Sequence, residues 1–579
     1  MNESAAASLI GPPDSRDQVR QTIVRVIAWS VAATLGAAQA WVNRHYMNPD
    51  GVSYLDIGDA YARGDWAHAI NTYFSPLYSW ILGVVLRETR PAIAHEFTVV
   101  HIVNFAIYLG ALACFDTFLG AFLRAYRTWT GRDGSAAVQN WVLRACGYSL
   151  FLWTSLEHVS LALVTPDMAV SAITYLAAAL ILRIRNGARG PGMFAALGAL
   201  LGVGYLTKTA MFPLAFVFLT AALLAAGDLR AARWRIAAAL VAFAITAGPF
   251  VAIVSRARHH FTFGDTARLN YAWYVNGVTT WVFWQGGPPG SGTPTHPPRI
   301  ISKDPTVYEF RSEIPGTYPL WYDAPYWHDG IRTHFDPLRQ VKRLISHVGL
   351  YVAVFTPILI ALAAHWYAAG RGGVTRRSLA EVSIVALPAA AALVMYGLVY
   401  VETRFVGPSF VLLALAAIGA ARFRTSGASA PAAGAAPLAI ATVFLVGTAY
   451  AMMSAVPAAV RDLTGADPLR NDHALVAEAL RSAGIRAGDD VAAMGPALVA
   501  YWARLTRTRI VAEMPTGGLA GFWAEDAAYR DRVLALLAGT GARVVVAPGV
   551  PAAVPAPGWT RVGSSGYAFH LLAPADGVR

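Results

Sequence analysis

The fold class follows from residues 48–80, NPDGVSYLDIGDAYARGDWAHAINTYFSPLYSW, and from the strongly apolar segment that precedes them. Four aspartates, Asp50, Asp56, Asp59 and Asp65, stand in this stretch, although only 14% of the residues of the chain are charged. Acids gathered directly outside the first hydrophobic segment of so apolar a chain indicate a polar site beside a membrane.

Composition identifies the chain as a polytopic membrane protein. Of its 579 residues, 56% are hydrophobic, and its mean hydropathy is +0.45. Soluble domains are about 45–50% apolar and about 25% charged. Stretches of about 20 apolar residues recur along the chain, and each is long enough to cross about 30 Å of hydrocarbon as a helix.

The net charge of +12 does not indicate nucleic-acid binding, because of where the charges lie. Arginines cluster in short segments between apolar stretches, as is typical of cytoplasmic loops. These segments are RAYRTWTGR (124–132), RIRNGAR (183–189), LRAARWR (229–235) and GRGGVTRR (370–377). The two cysteines, Cys114 and Cys146, lie within apolar segments and predict neither a disulfide framework nor a zinc site.

The apolar segments predict about eleven spans, with the N-terminus inside and the C-terminus outside. The first is expected to be an uncleaved signal anchor, and segment 76–90 is too short for a span. In this topology the unusual polar residues face outside. The predicted spans are 21–42, 96–123, 139–158, 167–184, 192–206, 209–227, 235–254, 346–366, 379–400, 408–421 and 436–457.

The predicted fold class is an all-α polytopic membrane domain followed by a small extracytoplasmic α/β domain. A cytoplasmic tail, 1–20, precedes the transmembrane domain, 21–460, and the α/β domain covers 465–579. The transmembrane domain carries two extracytoplasmic loops, 43–95 and 255–345. The second loop is rich in Trp, Tyr, Gly, Pro and His, which favours a functional loop over a disordered one.

The C-terminal pattern alternates β-branched and helical runs. DVAAMG, RIVAEM, RVVVAPG and YAFHLL predict strands of a largely parallel sheet. Because no GxGxxG motif and no nucleophile elbow occur there, we expect a structural or acceptor-binding role. The low-complexity stretch 425–435 predicts a cytoplasmic linker.

A helix over 50–66 would pair Asp50 with Tyr54 and Asp56 with Asp59 on shared faces. We expect Asp59 and Asp65 to solvate an interfacial amphipathic helix. Solvation alone does not explain Asp50, which stands between a proline and a glycine directly beside the membrane segment.

Five motifs follow one another on the predicted outer side: Asp50-Gly51 with Tyr54, Ser75-Pro76-Leu77-Tyr78-Ser79-Trp80, Pro166-Asp167, Leu206-Thr207-Lys208, and Glu402-Thr403-Arg404-Phe405-Val406-Gly407-Pro408. Over roughly residues 20–460, this order resembles the GT-C superfamily of glycosyltransferases, in its branch of protein O-mannosyltransferases and aminoarabinose transferases. Two positions depart from that branch: Phe74-Ser75 stands where a Lys often precedes the Pro-Leu motif, and Phe405 replaces a Tyr.

The resemblance implies an enzyme that moves a sugar, hexosyl or pentosyl, from a polyprenyl-phosphate-linked donor to an acceptor hydroxyl. The acceptor, which is a lipid, a glycan or a protein, is left open. We expect a bacterial inner or cell membrane protein whose site faces the periplasm or exterior and contacts membrane lipids. No cofactor and no nucleic acid are expected, and a divalent metal is left open, although no residue pattern supports one.

The chemistry needs a cation to stabilise the phosphate of the leaving group. Arg404 is the first candidate, since its planar fork pairs with phosphate bidentately. Lys208 is the second, although a lysine at a helix end also snorkels. Glu402 is expected to orient Arg404 or simply to pair with it.

The acceptor hydroxyl needs a base, which is the role expected of Asp50. Asp167 fits either a helix N-cap or a substrate-site residue. Tyr54 and Asp56 are expected to support the site or contact the substrate.

Two other classes of protein share some of these features. A transporter or flippase for a lipid-linked or polyanionic substrate would also have many spans, but would usually show inverted repeats, and the sequence has no such internal symmetry. A scaffold that used the C-terminal domain for interactions would leave the one-sided pattern of acids and bases unexplained.

Overall fold

The computed structural model describes residues 15–279, 282–370, 373–423, 429–551, 554 and 556–573. Most of the predicted tail 1–20 and the first part of the predicted linker 425–435 therefore lie outside the described residues. The remainder of that linker is helical, because a helix begins at Ser429.

The first part of the chain is helical. Its helices are α1 (Ser15–Val42), α2 (Pro49–Arg63), α3 (Trp66–Ala69), α4 (Pro76–Thr89), α5 (Glu96–Asp133), α6 (Asn140–Trp153), α7 (Asp167–Arg185), α8 (Pro191–Thr207), α9 (Met211–Ala226), α10 (Leu229–Arg258), α11 (Thr266–Asn270), α12 (Pro319–Tyr322), α13 (Ala324–Trp327), α14 (Pro337–Ala369), α15 (Arg376–Gly397), α16 (Thr403–Ala420), α17 (Ser429–Ala451) and α18 (Ala455–Leu463).

Eight of the described helices, α1, α5, α7, α10 and α14 to α17, are long and apolar enough to cross a membrane. The apolar helices α8 and α9 are shorter. Each of the predicted spans contains a helix, which confirms the polytopic helical architecture, while the number of spans stays a prediction.

Several helix boundaries differ from those predicted, and two differ most. Helix α5 continues to Asp133, so the basic stretch 124–132 is helical and not a loop. Helix α14 begins at Pro337, before the predicted start at 346. Charged residues end an apolar segment without ending a helix, because Arg is itself a good helix former.

Helix α2 has clear local signals at both ends. Pro49 occupies its first turn, where a missing N–H costs nothing. Gly64 follows its last residue in the left-handed conformation, with φ of 74°. Helix α4 crosses α2 closely: a Cβ on Gly83 would lie 2.5 Å from the carbonyl oxygen of Gly58. The two helices can therefore meet only because both positions are glycine.

The C-terminal part contains α19 (Asp472–Ser482), α20 (Tyr501–Thr506), α21 (Thr516–Ala524) and α22 (Ala527–Gly539). They accompany a seven-stranded sheet of order β1-β2-β4-β3-β5-β7-β6. The strands are β1 (Arg299–Lys303), β2 (Thr306–Glu309), β3 (Asp490–Met494), β4 (Arg509–Met514), β5 (Val544–Pro548), β6 (Trp559–Arg561) and β7 (Tyr567–Leu571).

The expectation of a largely parallel sheet is wrong. Strand β3 pairs in parallel with β4 and β5, whereas β1–β2, β2–β4, β5–β7 and β6–β7 are antiparallel. Short turns join β1 to β2 and β6 to β7, and a short connection can only produce an antiparallel pair. Helical crossovers join only the central strands.

Strands β1 and β2 come from the long loop 255–345, so this loop is folded into the same sheet as the C-terminal residues. A hydrophobic cluster also joins the C-terminal part to the helices. It contains Leu55 of α2 and Tyr78 of α4 together with Ala477 and Leu505 of α19 and α20. Helix α2 is therefore enclosed between the membrane helices and the sheet.

Candidate active site

Four helix ends bring the candidate residues together. Asp50 lies in the first turn of α2, and Asp167 is the first residue of α7. Lys208 caps the C-terminus of α8. Glu402 occupies the N-cap position of α16 without a side-chain capping hydrogen bond, and Arg404 lies in the first turn of that helix. Polar side chains from distant parts of the sequence thus meet at one end of the helix bundle.

Arg404 is the centre of this group. Its Nη2 lies 3.8 Å from Oδ2 of Asp50, and its Nε lies 3.6 Å from Oδ2 of Asp167. It also forms an ion pair with Glu402, and its side chain is only 13% exposed. Since a guanidinium presents five donors in one plane, Arg404 can hold several anionic oxygens at once.

Lys208 extends the cationic surface. Its Nζ donates to Oδ1 of Asp167 at 2.5 Å and lies 3.6 Å from the ring centroid of Phe405. Thr165 donates to the other oxygen of Asp167 at 3.0 Å. Asp167 thus bridges Lys208 and Arg404 and makes no side-chain cap on α7. Lys208 is held in the site and is not snorkelling into solvent.

The Asp50 side chain is partly accessible to solvent. The indole Nε1 of Trp321 donates to its Oδ1 at 3.1 Å, and 27% of its side chain is exposed. Burial raises the pKa of Asp50 above its ordinary value, while the charge of Arg404 opposes that rise. A carboxylate with a raised pKa is a stronger base than an exposed aspartate.

Tyr54 is buried one helical turn from Asp50. Its ring contacts Phe74 and Tyr78, with centroids 5.0 and 5.1 Å away. Burial raises the pKa of Tyr54 well above its ordinary value, and the nearby Asp50 charge adds to this. Tyr54 therefore remains neutral and helps to form the aromatic wall beside the base.

Asp56 is directed away from this group. Its carboxylate accepts from Arg504 Nη1 and from the Thr317 backbone N–H, both at 2.7 Å. Asp59 also pairs with Arg504, at 2.7 Å. The expectation that Asp59 solvates an exposed face is wrong, because the C-terminal part of the chain covers this face of α2. Asp65, paired with His68 and 35% exposed, remains accessible to solvent.

Sequence reasoning missed Trp321, Tyr400 and Arg504. Trp321 stands in the aromatic loop that the sequence predicts to be functional, which gives a signal for the region but not for the residue. The hydroxyl of Tyr400 donates to Glu402, and the Tyr400 ring stacks on Tyr274 with centroids 3.7 Å apart. Arg504, in an ordinary helical pattern, carried no signal.

Within the described ranges, no group of three or more His, Cys, Asp or Glu side chains is arranged to hold a metal ion. His328 packs its ring against Trp273 and Trp284, with centroids 5.2 and 5.8 Å away.

These features define the class of the molecule: an integral membrane protein with a helical body, a C-terminal α/β unit and a charged site between them. No family model matches the sequence, and no curated protein sequence matches it.

Three solved structures of similar fold are ArnT from Cupriavidus metallidurans bound to undecaprenyl phosphate, the same protein in the apo state, and the Archaeoglobus fulgidus oligosaccharyltransferase complex with Zn and sulfate. The two ArnT structures give TM-scores of 0.49 and 0.48 at 14% and 16% identity, each covering 95% of this chain and 97% of the other. The oligosaccharyltransferase gives 0.42 at 10% identity and covers 91% and 68% of the two chains.

Proposed function

We propose that the protein is a glycosyltransferase that moves a sugar from a polyprenyl-phosphate-linked donor to an acceptor hydroxyl. The observation that carries this proposal is the separation of 3.8 Å between the Asp50 carboxylate, at the start of α2, and the Arg404 guanidinium, at the start of the membrane-type helix α16. Asp50 as the base and Arg404 as the phosphate-binding cation thus lie close enough together to act on the same sugar–phosphate bond of the donor.

The cations serve the leaving group. Arg404 and Lys208 bind the phosphate of the donor and stabilise the charge that grows on it as the bond to the sugar breaks. Glu402 and Asp167 hold the two cations in place when no phosphate is present. The contact of Arg404 with Asp50 is the longest of its three ion contacts, so donor phosphate displaces this contact most easily.

Asp50 serves the acceptor. Its carboxylate takes the proton of the acceptor hydroxyl while the hydroxyl oxygen forms a bond to the anomeric carbon. The bond from that carbon to the phosphate oxygen breaks, and polyprenyl phosphate leaves with the electron pair. A single displacement with no covalent intermediate inverts the anomeric configuration.

The proposed reaction uses side-chain cations and needs no metal. The sugar is a hexosyl or pentosyl group, and the acceptor is a lipid, a glycan or a protein. The enzyme belongs to a bacterial inner or cell membrane, with its site facing the periplasm or exterior. The basic segments 183–189 and 370–377 support this orientation.

The test uses purified full-length protein, polyprenyl-phosphate-linked sugars and candidate acceptors, with EDTA in parallel samples. Mass spectrometry should detect glycosylated acceptor and free polyprenyl phosphate in equal amounts, with and without EDTA. Transport of the intact donor across vesicles without cleavage would contradict the proposal and favour a flippase. Loss of transfer in EDTA would contradict the metal-independent mechanism alone.

A further inference from the structure

Residues 317–321 of the long loop, here called the clamp segment, contact α2 at two points. At one end the Thr317 backbone N–H and hydroxyl donate to the two oxygens of Asp56, at 2.7 and 3.0 Å. At the other end the Trp321 indole donates to Asp50 at 3.1 Å. The clamp segment is therefore hydrogen-bonded to α2 at both of its ends, at Asp56 and at Asp50, the proposed base.

The clamp segment is also fastened to the sheet. The carbonyl oxygen of Thr317 accepts from the Ile510 N–H of β4 at 3.0 Å. The hydroxyl of Tyr318 donates to Glu513 of β4 at 2.7 Å. Burial raises the pKa of Glu513 to about 7. The position of Trp321 thus depends on a strand nearly two hundred residues further along the chain.

Arg504 of α20 links the C-terminal part of the chain directly to α2. Its side chain is 1% exposed and contacts three carboxylates: Asp56 and Asp59 at 2.7 Å each, and Glu96 at 2.9 Å. Removing a carboxylate partner of a buried guanidinium is strongly destabilising, because the charge left without a partner stays desolvated. The carboxylate that receives Thr317 is therefore fixed from the C-terminal side.

We propose that Trp321 is a positioning residue for Asp50, and that the C-terminal α/β unit holds Trp321 in place through Arg504 and β4. This inference rests on the proposed function, which makes Asp50 the base. The indole N–H occupies Oδ1 of Asp50, which leaves Oδ2 to take the proton of the acceptor once donor phosphate displaces the contact of Oδ2 with Arg404. The C-terminal unit is then part of the catalytic apparatus.

The hydrogen bond from Trp321 to Asp50 predicts an effect on pH dependence that packing alone would not produce. A hydrogen bond donated to a carboxylate favours its charged form and so lowers its pKa. Arg404, Glu402 and Asp167 also act on Asp50, and they stay in place when Trp321 is changed. Loss of the indole must therefore raise the pKa of Asp50. Because the base works only when charged, the acidic limb of the rate profile must move to higher pH.

The experiment compares Trp321→Phe with Trp273→Phe in the full-length enzyme. Trp273 stacks on Trp321 with centroids 5.9 Å apart, is 3% exposed, and its Nε1 has no hydrogen-bond partner among the described residues. Both variants lose the same volume, but only Trp321→Phe loses a contact with Asp50.

We expect Trp321→Phe to lower kcat at least about tenfold, since small misplacements of reacting groups have large effects. Its acidic limb should move to higher pH, and its donor KM should change little. Trp273→Phe should keep the wild-type limb. Arg504→Lys, which keeps the charge but cannot reach three carboxylates, should reproduce the kcat loss in the folded fraction.

A wild-type kcat and pH profile in Trp321→Phe would overturn the inference. An equal shift of the acidic limb in Trp273→Phe would also overturn the inference, because it would show that the shift comes from lost packing and not from the lost hydrogen bond to Asp50. Asp50→Asn is measured alongside: if that variant keeps its activity, the proposed base is wrong. If it is inactive while Trp321→Phe is unchanged, only the positioning role fails.

Discussion

Two cations share one aromatic ring in the site. Lys208 Nζ and Arg404 Cζ lie 3.6 and 5.1 Å from the ring centroid of Phe405. A ring face attracts a cation by about 0.5–2 kcal/mol, depending on desolvation. Phe405 stands where the resembled motif has a tyrosine, and its ring thus supports both cations beside their carboxylate partners.

Arg404→Ala should weaken donor binding strongly, because the donor phosphate would then lack its main partner in a site shielded from water. Arg404→Lys should recover only part of the affinity, since an ammonium cannot reproduce the planar fork. Titration of each purified variant with polyprenyl phosphate measures the effect. Wild-type affinity in the alanine variant would show that Arg404 serves the fold and not the donor.

At the residue scale, the sequence predicts which polar residues lie together better than it predicts their individual partners, and the roles proposed for them stay predictions. Asp50, Asp167, Lys208, Glu402 and Arg404 could be found because ordered motifs flank apolar segments. The ion pairing of Asp59 could not, because its partner stands hundreds of positions away and helical periodicity describes only neighbours on the same helix.

Among the elements, the crossing of α2 and α4 depends on glycine. Gly83→Ala should lower stability by about 1–3 kcal/mol, the usual cost of overpacking, because the new Cβ would lie 2.5 Å from the Gly58 carbonyl oxygen. Gly110→Ala in α5 is the control, since its added Cβ would have no described heavy atom within 4 Å apart from its chain neighbours and the adjacent backbone of its own helix. Thermal unfolding of the two variants checks this, and equal melting temperatures would contradict the close crossing.

The direction of the helices is tested by single cysteines at exposed positions, after Cys114 and Cys146 are replaced. Cysteines at Arg189 and Arg376 should be protected from a membrane-impermeant thiol reagent in intact cells. Those at Arg332 and Glu525 should react, because the proposed site faces outside. Labelling of the first pair would reverse the topology.

Element boundaries show why hydropathy is only part of the prediction. Hydropathy predicts the apolar centres of the helices. It places the end of α5 before the first arginines, whereas the helix continues to Asp133. The strands β3, β4, β5 and β7 were predicted from β-branched runs. Strands β1 and β2 carry only the short β-branched pairs Ile300-Ile301 and Thr306-Val307. In a loop rich in Trp, Tyr, Gly and Pro these pairs do not predict strands, and the sheet there is completed by pairing of β2 with β4.

Over the whole molecule, the enclosure of α2 matters most. The helix carries Asp50 toward the membrane part and Asp56 toward the sheet, so one short element couples the two halves of the chain. Composition and span order could predict that two such parts exist. Their docking could not be predicted, because it depends on the burial of Arg504 among carboxylates from separate elements.

The central claim is that Asp50 is the base, and Asp50→Asn tests it most directly, since the amide keeps the shape and loses the basicity. General-base catalysis contributes typically 10²–10⁴-fold, so sugar transfer by this variant should fall at least about a hundredfold, with polyprenyl-phosphate binding nearly unchanged. Asp65→Asn, on an exposed part of the same region, should stay within a few-fold of wild type. Transfer at the wild-type rate by Asp50→Asn would contradict the account.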